Sequence, residues 1–208
     1  MSSWINKRKK NGFYRKAKRE NYRSRASYKL IQLNEKYRFL NNVNVVIDVC
    51  CAPGSWIQVI QSICGKNVFI LGIDINKIKE IKGNVIFIQH DITDPSITGI
   101  IKEKLPDNAD IVIADCSMKT SGVHNLDVER QNYLVECTFE FIVKKFLKKG
   151  GHFVSKIFQG PNINNIKRNY MEFFKFVRFT KPKASLSSSR EMYLICKGFF
   201  LEPNNILI

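Results

Sequence analysis

The stretch that decides the fold is VNVVIDVCCAPGSW, residues 43–56. Its first part, Val43–Cys50, is rich in β-branched side chains and is long enough for a buried strand. Its second part, Ala52–Ser55, carries a Pro-Gly pair that is typical of a tight turn. The apolar run that follows, Trp56–Cys64, predicts a helix. We therefore expect a strand that passes through a turn into a helix, the first unit of an α/β fold.

The same alternation continues along the chain. Helical patterns are predicted at residues 27–40, 127–148 and 163–175, with the second closed by Gly150-Gly151. Apolar runs that predict strands lie at Val68–Ile73, Val85–Ile88, Ile111–Ala114, His152–Phe158, Phe176–Phe179 and Met192–Cys196. Strands that alternate with helices predict an α/β fold with a mostly parallel sheet.

Acidic residues follow three of the predicted strands. Asp74, Asp91 and Asp115 each lie at or just after a strand end. Ligands of open α/β sheets bind beyond the carboxyl ends of the strands. Each aspartate alone would equally suit a helix cap or a loop. Three at equivalent positions predict a pocket.

The turn after the first strand bears on the cofactor. It holds one glycine, Gly54, and so lacks the G-x-G-x-x-G pattern that brings a backbone close to a pyrophosphate. Asp74 follows Gly54 by 20 residues, the spacing at which an acidic side chain binds ribose hydroxyls. An acidic ribose ligand without a phosphate cradle favours S-adenosyl-L-methionine over NAD. A nucleotide-dependent oxidoreductase remains the alternative at this point.

Charge identifies the class of partner. The chain has 208 residues, a length that suits one domain, and a net charge of +16, which favours nucleic acid as partner, with an anionic membrane surface second. Residues 7–25 contain ten basic residues and one acidic residue. Aromatic side chains among these cations favour an arm that contacts RNA, namely Trp4, Phe13, Tyr14 and Tyr22. A solvated tail is the alternative, and Lys7–Lys10 is a weak nuclear-import pattern.

Cysteine and histidine usage limits the other classes of site. The six cysteines form no C-x-x-C pair, and four lie in apolar stretches that suit reduced core thiols, namely Cys50, Cys51, Cys116 and Cys196. Three histidines without ligand spacing predict no metal site. Reduced thiols and the absence of a signal-peptide pattern predict an intracellular, cytoplasmic protein, with the nucleus or nucleolus as alternatives. No apolar run approaches the ~18–20 residues of a membrane span, so we expect no membrane partner.

Five segments in order give a specific resemblance. They are residues 22–30 (YRSRASYKL), 48–56 (DVCCAPGSW), 156–160 (KIFQG), 181–185 (KPKAS) and 189–193 (SREMY). On these segments the chain resembles the FtsJ/RrmJ family of RNA ribose 2′-O-methyltransferases, from about Tyr22 to Phe199. The resemblance implies a Rossmann-like class I methyltransferase fold, with seven strands, an antiparallel last strand and helices on both faces.

The resemblance also implies the site residues. The catalytic tetrad of the family falls on Lys29, Asp115, Lys156 and Glu191. Its cofactor contacts fall on Gly54, Trp56, Asp74, Asp91 and Asp115. Lys156 is the candidate general base, because burial and a neighbouring cation make a lysine easier to deprotonate. Lys29 and Asp115 would orient the ribose hydroxyl.

Two departures from the family pattern accompany the match. The family usually has Ala-Pro-Asn or a similar sequence shortly after its aspartate, whereas this chain has Cys116-Ser117-Met118-Lys119. Ser55 replaces the second glycine of the cofactor turn. The missing proline leaves the conformation of the substrate-side loop open, and Lys119 adds a cation there.

The function predicted from all of this is methyl transfer from S-adenosylmethionine to a ribose 2′-hydroxyl of RNA. Ribosomal RNA is favoured as substrate, with a tRNA anticodon loop as the alternative. A catalytically silent RNA-binding assembly factor on the same fold is the alternative from another class. We expect a basic RNA-binding arm over residues 1–22 and a catalytic domain over residues 23–208, acting as a monomer, with a protein adaptor left open.

Overall fold

The computed structural model describes residues 12–118 and 120–200. The Lys7–Lys10 pattern, Trp4 and Lys119 lie outside the described residues. The strands are β1 Val45–Val49, β2 Phe69–Asp74, β3 Val85–Gln89, β4 Ala109–Ala114, β5 Leu147–Phe158, β6 Phe174–Thr180 and β7 Glu191–Phe199. The helices are α1 Gly12–Arg19, α2 Ser27–Tyr37, α3 Ser55–Cys64, α4 Ile97–Lys104, α5 His124–Thr138 and α6 Ile163–Met171. Helix α5 continues through a π-helical turn, Phe139–Val143, and a last α-helical turn, Lys144–Phe146.

The seven strands form one sheet in the order β3-β2-β1-β4-β5-β7-β6. Strands β1 to β5 pair in parallel, and β7 runs antiparallel to both β5 and β6. The predicted fold class is therefore confirmed. Reversal of order between β1 and β4 opens a crevice at the carboxyl ends of these strands, where ligands of such sheets bind.

Neighbouring residues of the central strands face opposite sides of the sheet. Val46 packs with Leu30 of α2 and Ile57 of α3, whereas Ile47 packs on the other side with residues of α4, α5 and α6. Both faces of β1 are thus covered, which explains the nearly unbroken apolar run seen in the sequence. Full burial of such an aliphatic side chain stabilises the fold by about 1.5–3 kcal/mol.

Two predicted helices end early because a strand begins within the predicted range. The pattern at residues 127–148 predicts one helix, but β5 already begins at Leu147, which pairs with Ala109 of β4. The helix predicted at 163–175 ends at Met171, because Phe174 pairs with Phe199 as an edge strand. In both places the pairing of strands in the sheet overrides the local helical pattern of the sequence.

Helix α1 packs on the domain. Ala17 is buried, and the Phe13 ring lies 5.5 Å from that of Tyr28. The Tyr28 hydroxyl donates a hydrogen bond of 2.6 Å to Glu20, and burial is the first cause that raises the pKa of Tyr28 above its ordinary range. The described part of the expected arm is therefore docked against α2, whereas the functional boundary at residue 22 stays a prediction.

The turn between β1 and α3 is held by Arg23. Its guanidinium donates to the carbonyl oxygens of Pro53 at 2.9 Å, Lys79 at 2.7 Å and Glu80 at 2.7 Å. Gly54 has a φ of +97°, and a Cβ there would lie 2.6 Å from Ile81 Cδ1. This position therefore requires glycine. Arg23, counted among the phosphate-contacting cations in the sequence, instead fastens the turn to the segment after β2.

No helix in the described ranges is long and apolar enough to cross a membrane.

Candidate active site

A cavity of about 490 Å³ lies at the carboxyl ends of β1 to β4. Its volume is in the range of small-molecule sites. It brings together Asp74, Asp91 and Asp115, the three aspartates singled out in the sequence. Among the lining residues that the structure describes there is no Lys and no Arg.

Two of these aspartates accept hydrogen bonds from residues of the surrounding loops. Asp74, which is buried, accepts from the backbone N–H of Ala52 at 2.8 Å and of Asn76 at 2.8 Å. Asp91 accepts from the backbone N–H and the hydroxyl of Thr93 at 2.9 and 2.8 Å. Since a carboxylate has about four acceptor positions, both keep capacity for hydroxyl or amino donors of a ligand.

Gly54 and Trp56 do not line this cavity. Gly54 faces Arg23 and Ile81, as described above. The Trp56 indole N–H donates to the Ala26 carbonyl at 2.9 Å, and its ring lies 6.0 Å from that of Tyr193. Their roles as cofactor contacts stay predictions, and their described contacts support the turn and the neighbouring side chains.

The four residues of the expected tetrad come together beside the cavity. Lys29 Nζ lies 2.7 Å from both Glu191 oxygens and 4.0 Å from Asp115 Oδ2. Lys156 Nζ lies 3.3 Å from Asp115 Oδ1 and donates to the Asp115 carbonyl at 3.0 Å. Asp115 is therefore the shared member, between both lysines and on the cavity wall.

The charge of Asp115 is stabilised against burial. Burial acts to raise its pKa, but the attraction of Lys156 and Lys29 and hydrogen bonds from Tyr193 and Lys156 outweigh it. The net effect holds the pKa of Asp115 below its ordinary value, so this carboxylate stays ionised at neutral pH.

Two polar contacts of the tetrad were missed in the sequence. The Tyr193 hydroxyl donates to Asp115 Oδ1 at 2.7 Å, and the Ser185 hydroxyl donates to Glu191 Oε1 at 2.6 Å. Tyr193 lies two residues after Glu191 on β7, hence on the same face of the strand. That alternation was a usable signal for Tyr193, whereas the loop position of Ser185 gave none.

Asp48 is a second feature beneath the site. It is 1 % exposed on β1, and its Oδ2 atom has no hydrogen-bond partner among the described residues. Burial, then repulsion from Asp115 and Asp74, raises the pKa of Asp48 well above its ordinary value. The fold therefore favours the neutral form of Asp48.

The cysteines at the site correct one expectation. Cys50 and Cys116 form a disulfide with their Cα atoms 4.9 Å apart, although the sequence predicted reduced thiols. The reason is topological, because Val49 and Ala114 pair in the β1–β4 ladder and the chains that leave these strands stay close. Cys51 and Cys196 are buried free thiols, as predicted.

The sheet order, the antiparallel β7 and the pocket at the β1–β4 crevice define a class I methyltransferase fold. The family model described as FtsJ-like methyltransferase matches residues 22–199. The chain therefore belongs to the FtsJ-like methyltransferase family, and the resemblance noted in the sequence is confirmed.

Two relatives extend this match over most of the chain. The chain is 42 % identical over 197 residues to the ribosomal RNA large subunit methyltransferase E of Methanococcus vannielii, covering 94 % of this chain and 76 % of the relative. It is 36 % identical over 206 residues to the protein of the same name from Coxiella burnetii, covering 97 % and 96 %.

A solved structure has the same architecture. The crystal structure named as a ribosomal RNA methyltransferase from Plasmodium falciparum superposes with a TM-score of 0.76 and 34 % identity. The match covers 87 % of this chain and all of that one. The similarity thus includes both the sequence and the fold.

Proposed function

We propose that this protein transfers a methyl group from S-adenosylmethionine to a ribose 2′-hydroxyl of ribosomal RNA. The observation that carries the proposal is the shared Asp115, which lines the acidic cavity and contacts both lysines of the tetrad. A methyl donor and a hydroxyl acceptor could meet at that carboxylate. The names of the two relatives support ribosomal RNA as the substrate.

The cavity fits a nucleoside that carries positive charge and no phosphate. When bound, S-adenosylmethionine supplies a methyl group on a sulfonium centre. Asp74 would accept from the ribose hydroxyls, and Asp91 would lie towards the adenine amino group. The described lining holds carboxylates and no Lys or Arg, which favours a cation and disfavours a pyrophosphate.

The two lysines have different partners and so different roles. Lys29 is held by both oxygens of Glu191, and we assign it the role of orienting the acceptor hydroxyl. Lys156 is held by one carboxylate oxygen and one carbonyl, and we assign it the role of general base. Its free amine would take the ribose proton as the hydroxyl oxygen attacks the methyl carbon. Such a base typically contributes ~10²–10⁴ in rate.

A basic groove gives RNA a path to the tetrad. A cleft of about 740 Å³ separates α1 from the loop at residues 181–187, with Phe13, Lys16 and Lys183 on its walls. Ser185 lines this cleft and also donates to Glu191. Cations beside an aromatic ring suit the phosphates and bases of a single strand. The groove therefore connects an RNA-binding surface to the catalytic residues.

The test of the function is transfer of a labelled methyl group to total RNA, followed by alkaline hydrolysis. A 2′-O-methyl group blocks cleavage of the next phosphodiester bond, so the label should appear in an alkali-resistant dinucleotide of large-subunit ribosomal RNA. Label on a base, or in tRNA, would overturn the acceptor assignment. Binding of S-adenosylmethionine without transfer to any RNA would favour the silent assembly factor.

The role of the basic surface needs substitutions rather than truncation. Removing residues 1–20 would take away α1 and uncover Tyr28, so it would confuse RNA binding with folding. Exposed Arg15, Lys18 and Lys183 can instead be changed to Ala. We expect weaker RNA binding and a smaller salt slope, by about 0.7 for each lost phosphate contact on single strands. Cofactor affinity should stay unchanged. An unaltered slope would identify these cations as a solvated face.

A further inference from the structure

The disulfide lies where the cofactor cavity meets the catalytic residues. Cys50 directly follows β1 and lines the cavity, and Cys116 directly follows Asp115. The bond spans 66 residues of sequence and ties the cofactor turn to the backbone of the shared aspartate. The Cα separation of 4.9 Å lies within the ordinary range for disulfides, about 4.4–6.8 Å.

The backbone at Asp115 and Cys116 contacts the candidate base. The Asp115 carbonyl accepts from Lys156 Nζ at 3.0 Å. The Cys116 carbonyl accepts from Gln131 Nε2 at 3.1 Å, and the same amide donates to the Lys156 carbonyl at 3.1 Å. Beyond Cys116 the chain becomes exposed at Ser117 and Met118. The disulfide is thus the last covalent anchor before an exposed loop.

We propose that the Cys50–Cys116 bond is a reversible positioning element, which sets the geometry of Asp115 and Lys156 and so makes methyl transfer respond to thiol–disulfide exchange. The inference rests on the proposed function for its kinetic part only. Formation and breakage of the bond can be measured without RNA.

A dithiol supplies the two electrons that reduce the Cys50–Cys116 bond. A thiolate of the reductant attacks one protein sulfur, forms a mixed disulfide and expels the other cysteine as a thiolate, which takes up a proton. The second thiol of the reductant then releases the first cysteine. In sum the dithiol is oxidised to its disulfide, and Cys50 and Cys116 become two thiols. The reverse reaction, with a small disulfide as oxidant, restores the bond.

Access to this bond passes through the cavity. Cys116 is 2 % exposed, whereas Cys50 is partly exposed and lines the cavity wall. Attack at Cys50 is therefore the open route. A ligand that fills the cavity should shield the bond from the reductant.

The first test counts thiols under denaturing conditions after timed exposure of the folded protein to dithiothreitol. We expect four thiols before reduction and six after it. S-adenosylhomocysteine at saturation should slow the reduction of the disulfide. A Cys64→Ser control should be protected to the same extent, with one thiol fewer at every time point. Six thiols from the start, with no bond formed by oxidised glutathione, would overturn the proposal. Equal reduction rates with and without the ligand would overturn the route through the cavity.

The second test compares the two redox states of one chain, which avoids variants that fold poorly. We expect kcat to fall by about 10-fold on reduction, since a displacement near 1 Å can cost about 100-fold. The KM for RNA should stay constant, and reoxidation should restore kcat. Cys116→Ser should match the reduced protein and ignore oxidant, whereas Cys64→Ser should respond like the wild type. Equal kcat in both states would overturn the positioning role. Absence of transfer in both states would count against the proposed function, and the thiol counts would still stand.

Discussion

The two halves of the site handle charge in opposite ways. The acidic half consists of Asp74 and Asp91, at the ends of β2 and β3, whose described donors are backbone N–H groups, one hydroxyl and the side-chain amide of Asn76. The paired half consists of two lysines and two carboxylates in mutual contact, Lys29, Asp115, Lys156 and Glu191. One half leaves negative charge for a ligand, and the other cancels its own charge.

The difference follows from what each half has to bind. Buried ions are costly unless they are paired, so the paired half can hold its lysines beneath the surface only as a neutral set. In the proposed reaction one lysine of this set would have to lose a proton. The acidic half keeps its carboxylates uncompensated by cations, which suits a positively charged nucleoside. Each half can be tested separately by substitution.

The largest effect is expected from removing Lys156, the proposed general base of the paired half. Lys156→Met keeps the length of the side chain but removes the proton acceptor, so kcat should fall by ~10²–10⁴. Asp115 keeps Lys29 and Tyr193 as partners, and the affinity for S-adenosylmethionine should therefore stay within about twofold, since this change leaves the acidic half intact. Single-turnover methyl transfer and calorimetric titration measure the two quantities.

Lys197→Met is the matched control for this variant. Lys197 lies on β7 and donates to the Tyr37 carbonyl at 2.9 Å, and it pairs in the ladder with His152, which precedes Lys156 by four residues of β5. It should transfer methyl groups like the wild type. Near-normal kcat in Lys156→Met would reject the base assignment.

The next largest effect is expected in the acidic half. Asp74→Asn should weaken the binding of S-adenosylmethionine by about 10- to 100-fold, because hydrogen bonds to a charged acceptor contribute ~1.5–3 kcal/mol. Asp94→Asn is the control, since this exposed carboxylate lies in the same region but does not line the cavity. Transfer at saturating cofactor should be nearly normal in both variants. An unchanged dissociation constant in Asp74→Asn would remove this residue from the cofactor site.

The sequence was sufficient for the parts of the fold that depend on periodicity. The run at Val43–Cys50 predicted a buried strand, and β1 spans Val45–Val49 with both faces covered. The sequence-based prediction was wrong where pairing with a distant strand overrides the local helical pattern, as at Leu147 and Phe174. Helix α4 was not predicted, because its eight residues are too few to show a clear helical period.

For the site, the sequence indicated residue types at strand ends but not their mutual contacts. That Asp115 stands between Lys29 and Lys156 depends on β4 lying beside β5, which no single segment encodes. The disulfide is the clearest case, since Cys50 and Cys116 look like ordinary core thiols until the β1–β4 register is known. The motifs therefore identified the residues of the site, whereas their mutual contacts depend on the strand order of the sheet.

A smaller effect is expected from the support of Asp115. Tyr193→Phe removes the 2.7 Å bond to a partly buried carboxylate and should lower the free energy of unfolding at pH 7 by about 1.5–3 kcal/mol. The pKa of Asp115 is depressed in the fold, so its stabilisation is present above the unfolded pKa and is lost as pH falls through the folded one. Without the Tyr193 hydroxyl, the fold should lose this stabilisation at a higher pH. Urea unfolding between pH 3 and 7 measures it, and identical curves would reject the role.

The smallest effect is expected from Asp48, which lies under both halves. Its pKa is raised by burial and by Asp115 and Asp74, so the fold favours its protonated form, whereas the unfolded chain ionises it above about pH 4. The wild type therefore loses stability, relative to Asp48→Asn, as pH rises from 4 towards 7. The variant should match the wild-type Tm near pH 4 and exceed it at pH 7, because Asn is neutral throughout. A Tm difference that shrinks with rising pH would show that Asp48 is ionised in the fold, and the paired half would then hold an uncompensated charge beneath it.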